Sequence, residues 1–292
     1  MKRNLSILIA LLASASCCDA QTVVNPALVR ILEASEKPFP DFVKTFIAAP
    51  LPALPLPSSD TSSPTLVVSQ LLWKRLASLD VVITKGNKTE ALEALESMCA
   101  LREGLLKRAA YTNLLFSSYV EETVSMSVLA ALSDKLISVD EARQLMNQMK
   151  KAVALSEVVA VIEMVTPQSA TVKKIKEAKA ESPSLLDVSN RLSNELHELV
   201  DTRLSKLIER ERLASLVFFV AFTSTTNDFA KALIEYESKG GELNKNPGDL
   251  ASDVKRLLPE VIGKTDRASG LEIDAAMIAG LMDNVRKWKA RH

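Results

Sequence analysis

Cysteine and histidine are scarce in this chain, and each scarcity removes a class of chemistry. Cys17, Cys18 and Cys99 are the three cysteines, and the first two fall in an N-terminal stretch that reads as processed. With Cys99 alone remaining, no intramolecular disulfide can form, so stability must come from a core. His197 and His292 are the two histidines, too few for an all-histidine metal shell. There is no Glu-x-x-His pair for a di-iron bundle, no G-x-S-x-G elbow and no cysteine–histidine signature for nucleophilic catalysis. Eight glycines leave few tight turns. Strand signals are almost missing: "DVVIT" at 80–84 is the one short β-branched run, without a partner of similar character.

Charge of one sign is also lacking, with 36 basic and 36 acidic residues. Cutting before Gln21 removes Lys2, Arg3 and Asp19 and leaves 34 and 35, which gives no electrostatic footprint for nucleic acid. The lysines of "VKKIKEAK" (172–179) read as a solvated helix face. The terminal "RKWKARH" reads as cations favoured at a helix C-terminus.

The N-terminus does carry a signal. Lys2 and Arg3 precede an apolar run from Leu5 to Ala15, and small residues follow, the pattern of a secretory signal peptide too short to span a bilayer. Two exits compete. One is a cut after Cys18-Asp19-Ala20, releasing a chain that begins at Gln21. The other is lipid attachment at Cys17, or secondarily Cys18, because Ser14, Ala15 and Ser16 before Cys17 resemble a bacterial lipobox; the departure is Ser14, where Leu, Ile or Val is usual. Either exit places the protein outside the cytoplasm, periplasmic, secreted or lipid-anchored to the envelope. The sole membrane association expected is that anchor, with no transmembrane helix in the mature chain.

Eight of the twelve prolines lie between Pro26 and Pro64. The chain therefore divides into a signal peptide (1–20), an N-terminal arm (21–63) and a helical body (64–292) with a candidate subdivision near 166–183. The arm holds two short helices, the first opened by Asn25 and Pro26, then an extended "PLPALPLPSSDTSSP" run that would space the body from a lipid at Cys17.

Beyond Ser63 the periodicity is helical nearly throughout. Thr89 is expected to cap "EALEALESMCALREGLLKRAAY", whose face holds Leu92, Leu95, Cys99 and Leu106, making Cys99 a buried, inert thiol. Ser138 and Glu141 form a capping box ahead of one helix reaching Val165. A long helix from Pro183 should break at "TSTTND" (223–228), and the next should stop at Gly240–Gly241. "LASLVFFVAF" (213–222) reads as core, being only ten residues long. The fold predicted is an all-α antiparallel bundle or helical array with a proline-rich N-terminal arm.

Few residues hint at chemistry. "HELVD" (197–201) resembles the HExxH helix of zinc peptidases, with His197 as ligand and Glu198 as base, but Asp201 replaces the second imidazole and the stretch reads as a surface ion pair. Gly263, Lys264 and Thr265 end like a P-loop, yet Leu258 stands where its first glycine belongs. Asn87-Lys88-Thr89 is a glycosylation sequon, meaningful in a eukaryotic secretory pathway. Glu157 and Glu163 sit in the apolar "VALSEVVAVIEMV", where burial could fit one of them for general acid work. No catalytic, cofactor-binding or metal-binding residue is assigned, and no cofactor is expected. The leading expectation is a non-enzymatic interaction or scaffold protein with an unidentified protein partner. The alternatives are a carrier holding an apolar ligand between 158–165 and 213–222, and an enzyme using Glu157 and Glu163.

Overall fold

A computed structural model describes residues 26–49, 68–76 except 69 and 73, 87–107, 111–149, 153, 155–165, 173, 184, 186–191, 204–246, 248–250, 252, 253, 256 and 280–287. Of these, 85% are helical and none lies in a strand, as the periodicity predicts. The seven helices with defined bounds are α1 (Pro26–Ala34), α2 (Phe39–Ala48), α3 (Lys88–Leu106), α4 (Tyr111–Ser133), α5 (Val139–Gln148), α6 (Leu155–Val165) and α7 (Leu204–Ser238). The most extensive packing is of α4 against α7 on one side and α3 on the other; α2 lies on α3, and α5 touches α3, α4 and α7.

The helix ends follow from local chemistry. Ser138 caps α5 with the predicted capping box: its hydroxyl accepts from the Glu141 amide, and the Glu141 carboxylate accepts from the Ser138 amide at 2.8 Å. At α3 the cap is Asn87, two residues before the expected Thr89, because the Asn87 Oδ1 accepts from the Glu90 amide at 2.9 Å. Two helices close with paired back-bonds of the Schellman type. For α7, Gly241 N–H bonds Tyr236 O and Gly240 N–H bonds Glu237 O, with Gly240 in the left-handed region at φ 83°. For α4, Leu136 N–H bonds Ala131 O and Lys135 N–H bonds Leu132 O, and here a lysine takes the left-handed position at φ 57°.

Three expectations about helix extent are corrected. The helix read as continuous to Val165 is two helices: α5 ends at Gln148, and Met149 leaves the helical region at φ −79°, ψ 62° while staying buried. "TSTTND" does not break its helix but lies within α7. Its threonines remain helical by bonding back to carbonyls of the preceding turn: Thr223 to Val220, Thr225 to Ala221 and Thr226 to Phe222, at 3.0–3.1 Å. Finally, α4 begins at Tyr111, inside the stretch assigned to the preceding helix.

The two short helices of the N-terminal arm are built into the main core. Phe39, Phe42 and Phe46 share one face of α2, their neighbouring rings 6.2 and 5.9 Å apart, and Ile31 and Phe42 are wholly buried. Full burial of such a side chain contributes about 1.5–3 kcal/mol. Arg75 fastens the packing: its guanidinium lies 5.3 Å from the Phe42 ring centroid and donates to Lys37 O at 2.7 Å. The proline-rich run at 50–64 lies outside the described residues.

Buried apolar side chains form two clusters. The larger unites α1, α2, most of α3 and α4, α5, the C-terminal half of α7 and residues of 280–287. The smaller holds Leu106, Leu114, Val153, α6, Val188 and the α7 stretch from Ala214 to Ala221.

Candidate functional site

A polar layer is buried on α3, α4 and α7. Arg102 of α3 and Glu121 of α4 are both buried, and the guanidinium donates to Glu121 Oε2 from Nε at 2.9 Å and from Nη2 at 2.7 Å. A third bond, Nη1 to Glu103 Oε1 at 2.6 Å, engages another edge of the same group. On α4, Asn113, Ser117, Glu121 and Ser125 recur every fourth residue, all buried; Ser125 donates to Glu121 O at 2.9 Å. From α7 come Thr223, Thr225, Thr226 and Asn227, also buried.

The electrostatics of the layer are set by its dryness. Burial pushes the Glu121 carboxyl above the usual carboxylate range, with the Arg102 charge and hydrogen bond working against that rise and Lys231 of α7 assisting Arg102. Burial also raises Glu122 on the next position. A guanidinium engaged by two carboxylates and closed to solvent is poorly placed to bind an external anion. Its chemistry is that of a clasp joining α3 to α4 at one register.

Sequence reasoning missed this pair, although a signal for it exists. Arg102 falls on the stripe already formed by Leu95, Cys99 and Leu106, and Glu121 falls in line with Ser117 and Val124. Opposite charges on the inward stripes of consecutive helices mark a buried pair.

The residues singled out from sequence are scattered. Cys99 is buried, donates weakly to Leu145 O at 3.6 Å and is pushed up to about 12 by burial, so the thiol stays protonated and inert. Glu157 and Glu163 are both half-buried on α6, and six residues along one helix sets them about 120° apart around its axis. Cys17, Cys18, His197, Glu198, Asp201 and the 258–265 segment lie outside the described residues. Among the described residues no cluster of three or more His, Cys, Asp or Glu could hold a metal, and no helix is long and apolar enough to cross a membrane.

A second feature lies on the outer edge of α7. There Phe218 is 48% exposed, with Phe219 and Phe222 half-buried beside it. The inward positions of the same two turns are the smaller Leu216, Val217, Val220 and Ala221.

The chain matches no model of a known protein family, and neither a curated protein nor a solved structure is found to be similar to it.

Proposed function

We propose that the protein is a non-enzymatic helical interaction or scaffold protein of the cell envelope or exterior, released or tethered through Cys17, which takes a protein partner along the aromatic edge of α7. The observation that carries this reading is the inversion at 214–222. Over these turns Phe218 faces outward with Phe219 and Phe222 half-buried beside it while the valines face inward, opposite to what a stretch serving only its own core would select. Aromatic side chains exposed on a rigid helix supply large contact area at low entropy cost.

The test is a photo-activatable residue at position 218 in the native host. One saturable cross-linked partner is expected, and in equilibrium binding with it Phe218→Ala should weaken affinity about tenfold or more, as an interface anchor does. Equal affinity of Phe218→Ala and the parent chain would sink the reading.

Carriage of an apolar ligand has weaker support. Residues of 158–165 and 213–222 do share one cluster, but Val158, Val161, Val217 and Val220 are fully buried there and occupy the space a ligand would need. The enzyme reading through Glu157 and Glu163 has the least support, since the two carboxylates diverge around α6.

A further inference from the structure

Along α7 the two apolar clusters are separated in sequence. Ala221 is the last α7 residue of the smaller cluster, and Phe229 is the first of the larger. Between them stands Thr-Ser-Thr-Thr-Asn-Asp (223–228), of which Thr223, Thr225, Thr226 and Asn227 are buried without joining either cluster. None of these six is a strong helix former, because short polar side chains compete for backbone groups and threonine also loses side-chain freedom in a helix.

The smaller cluster is drawn mostly from one part of the chain. Ten of its twelve described buried residues fall between Val153 and Ala221, and the other two, Leu106 and Leu114, flank the corner between α3 and α4. The chain enters this part after Met149, which has already left the helical region at φ −79°, ψ 62°, and leaves it through 223–228. Both crossings are therefore weak points of regular helix.

Inside α7, 223–228 carries the chemistry of two helix ends. Upstream, the hydroxyls of Thr223, Thr225 and Thr226 donate to the carbonyls of Val220, Ala221 and Phe222 at 3.0–3.1 Å. These acceptors thus have a side-chain partner at the point where a helix end would leave them without an amide. Downstream, Asn227 stands where an N-cap belongs, with Asp228 in the following turn as the acid that suits the positive end of a helix dipole. Each half of α7 is equipped to end on its own.

We propose that α7 is a jointed helix: besides the continuous form it adopts one opened at Thr223–Thr226, in which Asn227 caps the second half as a separate helix while α6 and the first half of α7 turn together on the α3–α4 corner. The aromatic edge at Phe218 lies on the moving side, so the joint sets the angle between that edge and the larger cluster. The inference stands on the joint and holds whether or not a partner binds at Phe218.

The experiment uses the full chain. In native-state hydrogen exchange the amides of 224–230, which lose their acceptors on opening, should exchange about tenfold or more faster than those of 217–222 and 231–236. Spin labels are then attached through encoded azides at the exposed Ser215 and Ser238, about 35 Å apart along a straight α7 at 1.5 Å per residue, and any bend shortens that distance. Pulsed dipolar spectroscopy should show a main distance and a shorter one. The ratio of short to long should be about fivefold higher in Ser224→Gly than in Ser224→Ala, the propensity gap between these residues, and lower in Asn227→Ala than in the parent chain. The helical far-ultraviolet signal checks that each variant is folded. A single distance, the same in the parent and all three variants, overturns the proposal, as does exchange at 224–230 no faster than at both flanks.

Discussion

The two apolar clusters are assembled from different side chains. The larger has buried phenylalanines at 39, 42, 46, 116 and 229 and methionines at 98, 146, 149 and 282, and its helices are cross-tied by Arg143–Glu235 between α5 and α7 and Lys88–Glu141 between α3 and α5. The twelve buried residues described in the smaller are seven valines, three leucines and two alanines. A valine buries less area than a phenylalanine, so each position there contributes less. The difference teaches that the smaller cluster leans on the larger one through α3, α4 and α7, which contribute side chains to both.

Removing one side of the clasp should break that arrangement most severely. Arg102→Met leaves the Glu121 carboxylate dry and unpaired, and a loss of about 3–5 kcal/mol is expected in urea unfolding. The double replacement Arg102→Met, Glu121→Leu should recover most of it. The sign with pH follows from the raised Glu121 carboxyl. Such a group contributes stability below its unfolded pKa and loses it as pH rises through its folded value, so the deficit of Arg102→Met should shrink as pH falls from 7. A deficit independent of pH, or a double variant no better than the single, would show that the pair does not clasp α3 to α4.

Matched truncations sharpen the comparison. Leu95→Ala in the larger cluster and Leu216→Ala in the smaller should each cost about 2–5 kcal/mol of local stability. Hydrogen exchange should separate them: Leu95→Ala lowers protection in both clusters, whereas Leu216→Ala lowers it in α6 and the first half of α7 and leaves α3 unchanged. Reversed patterns would make the smaller cluster the independent unit.

The smallest effect expected is at the surface of the larger cluster. Ser138→Ala removes the α5 cap and should cost about 1 kcal/mol at pH 7 in thermal unfolding. Hydrogen bonds from Lys88 and Ser138 hold the Glu141 carboxyl down at about 2. A lowered carboxyl gives its stability above the unfolded pKa and loses it as pH falls through the folded one, so the cap's contribution should fade between the usual carboxylate range and about pH 2. The buried and exposed acids thus respond to acid with opposite sign.

Much of the fold was legible because helix punctuation is local. The Ser138–Glu141 box, the Gly240–Gly241 stop and the buried position of Cys99 each follow from a few adjacent residues. The reading failed where a tertiary surface overrides local preference. The threonines of 223–226 look like a breaker until the packed fold buries them and their hydroxyls turn back to the preceding carbonyls, and Met149 ends α5 where the side-chain pattern alone continues. The clasp was overlooked because apolar periodicity ranks Arg102 as an interruption of its stripe, whereas the opposite charge on the next helix makes it a member.

The burial of α1 and α2 has a metric consequence for tethering. An arm of some forty residues would let a lipid at Cys17 hold the body far from a membrane, but the first packed helix already begins at Pro26. Eight residues, 18–25, lie between, and eight residues at full extension reach about 28 Å. A lipid on Cys17 would therefore keep α1 within roughly the thickness of one bilayer core from the headgroups. Tethered in this way the molecule would work in the shallow zone just above the lipid surface, and a partner on a facing membrane would have to approach it there.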